Sequence, residues 1–223
     1  MKPGPRRSVS QVDIVDAAFE ILEQKGFAAV SVRGVAAALG LTPTAIYTYF
    51  PSKNALLRAM VEELLSDLDL DAAADPAGAW RDRVHALAAA LRARLAEHTG
   101  AMVLVTSGPL DGRHAMSLNE TLVAGFQGEG MSLDDAARAA HAVRAHVLGV
   151  AALDAAERAV EADTAALSTA GALWSDAASH PLTEATAHLV AADGAEPSAF
   201  AWGLDRLLDG LLAGAAGRTP ATA

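Results

Sequence analysis

Apolar positions recur at three- and four-residue spacing along most of the chain and nowhere alternate strictly, so the pattern predicts helices and no strand. Ser10 and Asp13 form a capping signal ahead of Val12, Val15, Ala18, Phe19 and Leu22, an apolar stripe that ends at Gly26. Phe27 and Val30 follow in a connector that completes a small core. Ser31 then caps a short helix with Val32, Val35, Ala36 and Leu39 on one face, and Gly40 stands where a left-handed residue ends a helix cheaply. Thr42 caps the next helix and Pro43 occupies its first turn, where a missing N–H costs nothing. Ile46 and Phe50 point inward from it, and Pro51 closes it.

Residues 53–68 carry two apolar rows, Leu56, Met60, Leu64 and Leu68 beside Leu57, Val61 and Leu65, which predicts a helix packed on two sides. Asp67, Asp69, Asp71 and Asp75 alternate as a calcium loop would begin. Ala72 stands where that loop needs Gly, however, and Gly78 where it needs a bidentate Glu, so the stretch reads as an acidic linker closed by Pro76. Further helices are expected over 80–97, with Trp80, Val84, Leu87, Leu91 and Leu95 as the stripe, and over 112–127, with Met116, Leu122, Val123 and Phe126. A short apolar segment at 101–106 lies between them. Ser132 caps a long Ala-rich helix to about residue 160 that has Val143, Val147 and Val150 on one side. Two weaker helices, 167–178 and 182–192, flank His180-Pro181, and Pro197 opens the last one. There Phe200, Leu204, Leu207, Leu208, Leu211 and Leu212 alternate with Gly203, Gly210 and Gly214.

The two short helices joined at Gly40 form a helix-turn-helix, whose second helix is shaped for the DNA major groove. Thr44, Tyr47, Thr48 and Tyr49 supply hydroxyls for phosphates or base edges, and Lys53 adds a cation at the start of the following helix. Spacing alone leaves a second reading open, an ordinary helical hairpin with surface tyrosines. The run Gly26-Phe27, Ser31-Val32-Arg33, Val35-Ala36, Leu39-Gly40-Leu41, then Ala45-Ile46-Tyr47-Thr48-Tyr49-Phe50-Pro51-Ser52-Lys53 and Leu56-Leu57, resembles the DNA-binding domain of the tetracycline-repressor family. The resemblance implies an all-α chain. Residues 1–52 would form a three-helix helix-turn-helix domain with a basic arm, and 53–223 a larger ligand-binding and dimerisation domain. Ser31, Arg33, Thr42, Pro43, Thr44, Tyr47, Thr48, Tyr49 and Lys53 would then meet double-stranded DNA at a palindromic operator.

Charge changes the picture once it is divided. The net charge of −10 argues against nucleic acid, yet the first 60 residues hold seven basic against four acidic residues and the remainder holds −13. A basic head on an acidic body leaves only one end able to approach phosphates. The chain has 223 residues and no Cys, which excludes disulfides and thiolate metal sites and fits a cytoplasmic protein. No signal peptide is expected, because Lys2, Arg6 and Arg7 lead into an amphipathic segment, and no apolar run is long enough to span a membrane.

The C-terminal half resembles the tetracycline repressor's own subgroup, at Ser132-Leu133-Asp134-Asp135-Ala136 and at Phe200-Ala-Trp-Gly-Leu-Asp-Arg-Leu-Leu-Asp-Gly-Leu211. Family members pair through the two helices before their C-termini. A homodimer interface is therefore expected at Val143, Val147, Phe200, Gly203, Leu204, Leu207, Leu208 and Leu211. Positions that hold tetracycline and its magnesium in that subgroup fall near Leu87, Leu91, Val105 and Leu122 here, with Val105 in place of the metal-holding His. Tetracycline and a metal are not expected, nor any cofactor. A small, largely apolar inducer is, with Trp80, His85, Met102, Met116, Asn119, His146 and Trp174 as candidate contacts and Arg144 as a further polar group. No His-Glu-x-x-His, no Gly-x-Ser-x-Gly and no nucleophile–base pair is present, which points away from an enzyme. The reading is a ligand-released transcriptional repressor. A regulator governed by a protein partner, or a helical interaction module whose helix-turn-helix is only structural, is the alternative.

Overall fold

Side-chain caps decide where the N-terminal helices begin. The computed structural model describes residues 9–98, 100–164, 179–190 and 198–216, and every regular element among them is helical. Ser10 accepts from Asp13 N while the Asp13 carboxylate accepts from Ser10 N, a reciprocal box that starts α1 (Gln11–Lys25). Ser31 accepts from Gly34 N at the start of α2 (Val32–Ala38), Thr42 from Ala45 N at α3 (Pro43–Tyr47), and Ser52 from Ala55 N at α4 (Lys53–Ser66). Helix α2 ends in paired 6→1 and 5→2 bonds, Leu41 N to Ala36 O at 2.8 Å and Gly40 N to Ala37 O at 3.2 Å. Gly40 adopts φ +65° there, a conformation that a side chain would strain.

Beyond these lie α5 (Leu70–Ala74), α6 (Trp80–Glu97), α7 (Ala101–Ser107), α8 (Arg113–Gly128), α9 (Leu133–Thr164), α10 (Pro181–Val190) and α11 (Ala199–Ala216). The acidic stretch expected as a linker thus holds one short helix, which Asp69 caps by accepting from Ala72 N. Of the weaker segments, 182–192 is seen as α10, whereas 167–178 lies outside the described residues.

The chain forms two compact units, Met1–Leu68 with Glu97–Ser117, and Asp69–Ala96 with Leu118–Ala223. In the first, α1 packs on α2 and α4, α2 on α3, and α4 on α7. Both apolar rows of α4 are buried: Leu56, Leu57, Met60, Val61, Leu64, Leu65 and Leu68. Packing therefore groups α4 with the three helices before it. Val12, read as part of the α1 stripe, is 60% exposed, because Ile14, Ala17 and Ile21 turn the buried face of α1 away from it. The opening of α8 is capped from a distance. Glu62 of α4 accepts from His114 N at 2.8 Å and Ala115 N at 3.2 Å, and Arg58 makes two 2.7 Å contacts with Asp111 just before the helix.

In the second unit Leu87, Ala88, Leu91 and Leu95 of α6, Leu122 and Phe126 of α8, and Ala139, Ala140, Val143 and Val147 of α9 form the core with Phe200, Leu204 and Leu208 of α11. Trp80 meets Phe126 edge-on with ring centroids 4.9 Å apart and lies against Gly125, where an added Cβ would come 2.6 Å from its indole nitrogen. Arg92 pairs with Asp154 at 2.6 Å and lies 5.0 Å from the Phe200 ring centroid, tying α6 to α9 and α11.

Phe126 is wholly buried, so Phe126→Ala leaves both a cavity and an unsupported Trp80. The expected cost is about 3–5 kcal/mol, read as a lower urea midpoint with an unchanged slope.

Candidate nucleic-acid interface and ligand crevice

Helix α3 is five residues long and is held by a single fully buried side chain, Ile46, with Phe50 just after it. Apart from half-buried Ala45, the rest of it faces outward. Pro43, Thr44 and Thr48 are exposed, as are Tyr47 at 49% and Tyr49 at 36%, unusual positions for large aromatics unless the surface is used. Arg33 on α2 is exposed as well. Thr48 donates its hydroxyl to Ala45 O at 2.6 Å and keeps its lone pairs outward. The Tyr49 hydroxyl donates to Val9 O at 2.7 Å, which anchors the chain just before α1 beside the recognition helix, a contact the sequence pattern did not signal. Lys53 sits in the first turn of α4 with its ammonium 5.3 Å from the Phe27 ring centroid, exposed on one side and steadied on the other. Ser31 and Thr42 are spent as caps. All nine residues expected at the duplex therefore belong to the α2–α3–α4 segment, seven as exposed groups and two chiefly as positioning caps.

The second unit contains a crevice between α6, α8 and α9. Val84, Leu87, Ala88 and Leu91 line it from α6, Leu118 and Leu122 from α8, and Val143, Arg144 and Val147 from α9. About 230 Å³ of non-atom space lies there, open solvent included, but the room left for a water-sized body is only about 10 Å³, so the crevice is nearly closed and no drug-sized guest fits without movement of its walls. Leu87, Leu91 and Leu122, which the family resemblance placed at ligand-holding positions, all line it. Val105 is a buried residue of the first unit.

The residues expected around a ligand are placed differently. Trp80 is engaged with Phe126, His85 Nε2 lies 2.9 Å from Asp205 Oδ1, and His146 stacks on Phe200 at 5.5 Å between ring centroids. Met102 and Met116 belong to the first unit, and Met116 is 62% exposed on α8, contrary to an interior role: Ala115 and Leu118 hold the buried side of that helix. Trp174 lies outside the described residues. Asn119 alone has a link to the crevice, accepting from Arg144 at 2.6 Å.

The dimer expectation also needs correcting. Val143 and Val147 are 2% and 1% exposed within a single chain and line the crevice, so they are not a seam. Phe200, Leu204 and Leu208 are buried in the same way. Gly203 faces His146 of its own chain, where an added Cβ would come 2.9 Å from the ring, whereas Gly210 is exposed, so the two glycines do not share a face. Leu207 and Leu211 are half-buried. The outward faces of these helices are His141, Ala145, Gly149, Ala152 and Ala156 on α9, and Trp202, Arg206 and Gly210 on α11.

Around these features lie ion pairs. Arg81 bridges Asp205 at 3.1 Å and Asp209 at 2.7 Å. No group of three or more metal-ligating side chains occurs among the described residues, and no helix among them is long and apolar enough to cross a membrane. The hydrogen bond from His85 holds the Asp205 carboxyl below its ordinary value; desolvation opposes this and Arg81 adds to it. A depressed carboxyl contributes stability above its unfolded pKa and loses it as the pH falls. Asp205→Asn is accordingly expected to lower the melting temperature at pH 7, with the gap to wild type closing as the pH drops below about 4, followed by thermal melts across pH.

Comparison with known proteins agrees with this geometry. Residues 14–60 match the model for bacterial regulatory proteins of the tetR family, and residues 72–214 match the tetracyclin repressor-like C-terminal domain. An HTH-type transcriptional regulator of Saccharopolyspora erythraea is 30% identical over 141 residues, covering 63% of this chain and 59% of the relative. An HTH-type transcriptional repressor of Mycobacterium tuberculosis is 30% identical over 161 residues, 68% of this chain and 62% of the relative. The chain thus spans about three fifths of the length of these two relatives. The structure of BioQ with its natural double-stranded DNA operator superposes with a TM-score of 0.62 at 26% identity, covering 92% of this chain and 99% of that one. With its head and its body each matched to a module of that family, the chain belongs to the tetR family of bacterial regulatory proteins.

Proposed function

We propose that the protein is a cytoplasmic, sequence-specific DNA-binding regulator, a repressor that acts as a homodimer on a palindromic operator and is released by a small, largely apolar molecule. The observation that carries the reading is α3: one buried anchor, Ile46, presenting an exposed face of Thr44, Tyr47, Thr48 and Tyr49 between the cations of Arg33 and Lys53. The operator complex of BioQ and the relative named a repressor support it. Lys53 and Arg33 contact phosphates and position the head, while Thr44 and Thr48 meet base edges.

One recognition helix reads too few base pairs, so two must be held about one turn of DNA, ~34 Å, apart. The pairing surface is the outward row of α9 and α11. Small residues at Ala145, Gly149 and Ala152 let a partner backbone approach, and the exposed indole of Trp202 supplies the large apolar contact. The ligand enters the α6–α8–α9 crevice, and because the crevice is small it must part those helices to fit. Only a ligand that prefers the parted arrangement shifts the population. Helix α8 carries Leu118 and Leu122 of the crevice wall, and its first turn is held by Glu62 of α4, which supports a route from ligand to head.

Gel shifts at several salt concentrations test the DNA reading. Lys53→Ala is expected to weaken all duplexes alike and to reduce the salt slope by about 1, whereas Thr44→Ala or Thr48→Ala alters sequence preference. If Tyr47→Ala combined with Lys53→Ala leaves duplex affinity unchanged, the helix-turn-helix is only structural.

Sedimentation tests the pairing. Trp202→Glu or Gly149→Glu should give folded monomers at micromolar concentration that no longer bind the palindrome. Leu204→Arg, which buries a charge, should instead unfold the chain. A wild-type monomer at that concentration would contradict the dimer.

A further inference from the structure

The crevice has one polar residue in its lining, and it is a cation without an anion. Arg81, Arg92, Arg138 and Arg206 of the second unit each have a carboxylate within ion-pair distance: Asp205 and Asp209, Asp154, Asp135, and Asp209 respectively. Arg144 has none among the described residues; Arg83 has none either, but it donates to Ala73 O and does not line the crevice. The one hydrogen-bond partner of Arg144 among those residues is the neutral amide oxygen of Asn119, 2.6 Å from Nη1. A guanidinium offers five N–H donors in a planar fork suited to an oxyanion, and an amide oxygen can neither occupy that fork nor neutralise it. Leu118 and Leu122 from α8 and Val143 and Val147 from α9 flank the group with hydrocarbon.

A partly buried charge facing an apolar cleft is costly unless something compensates it. Desolvation already pushes the guanidinium of Arg144 down from its ordinary value. Asn119, next to Leu118 and three residues before Leu122 on α8, fixes the fork at the crevice without cancelling its charge.

We propose that the crevice takes a molecule with an apolar body and a single oxyanion, a carboxylate or a comparably acidic group, seated on Arg144. This rests on the reading of the crevice as the ligand site and narrows the chemical class of its occupant. The hydrocarbon of α6 and α8 receives the body, the free edge of the guanidinium receives the oxyanion, and Asn119 orients the guanidinium. A neutral hydrocarbon leaves the charge uncompensated, and an amine adds a second cation beside it. A nucleotide or sugar brings polar groups for which α6 has no partners.

The test uses the intact protein and two fluorescent probes with the same rings, 8-anilinonaphthalene-1-sulfonate, which carries an oxyanion, and N-phenyl-1-naphthylamine, which does not. Arg144→Gln is expected to weaken the sulfonate probe roughly tenfold and to change the neutral probe by less than about twofold. Leu122→Trp, which fills the crevice, should weaken both. In wild-type protein, decanoate should displace the sulfonate probe at far lower concentration than decan-1-ol, an arm that needs no variant to fold. Equal displacement by acid and alcohol, or an Arg144→Gln effect shared by both probes, overturns the oxyanion assignment and leaves the crevice standing. Binding of both probes unchanged by Leu122→Trp places their site elsewhere and overturns the crevice reading itself.

Discussion

The first turn of a helix leaves backbone N–H groups that nothing in the helix can satisfy, and α8 has its own satisfied by a carboxylate from another helix. Glu62 on α4 takes His114 N and Ala115 N, and Arg58, one turn earlier on α4, grips Asp111 at the approach to the same helix. Asp111 is exposed and its ion pair is of the kind that contributes little by itself. The cap is different in kind. Separating Glu62 from α8 strands donors and a carboxylate together, so α4 and the start of α8 form one mechanical piece. Helix α8 goes on to supply Leu118, Asn119 and Leu122 around the crevice, and α4 packs on α1 among the helices of the head.

The head is built for stiffness at small size. Two side-chain caps, a left-handed glycine and a Pro in the first turn of α3 fix two very short helices that could not persist alone. A short recognition helix serves only if its angle is fixed by its neighbours, and Ile46, Val35 and Val32 fix it from beneath. The Tyr49–Val9 bond extends that order to the residues just before α1.

Legibility in the sequence followed residue variety. The head could be read to within a few residues because Ser, Thr, Gly and Pro each have one local use there, and because both rows of α4 are made of large side chains. Helix α9 offered no such contrast: with alanine on every side, the row of Val143 and Val147 was visible but what it faced was not. Pairing and packing both call for small or branched residues, so the pattern admitted either, and the structure assigns that row to the chain's own interior. The aromatics and methionines misled for a related reason. Scarcity made them conspicuous as ligand contacts, yet Trp80 is used to pack against Phe126 and Met116 faces outward. The crevice itself is assembled from three helices distant in sequence, and nothing in the sequence marks Arg144 as the arginine that lines it with only an amide oxygen for a partner.

Helices α9 and α11 each bury one face and expose the other: Val143, Val147, Leu204 and Leu208 lie inward, and Gly149, Ala152, Trp202 and Gly210 outward. Substitutions on one face leave the other's chemistry untouched. If the inward face senses and the outward face pairs, as proposed, a descendant can change the molecule it answers to without renegotiating the partner it keeps.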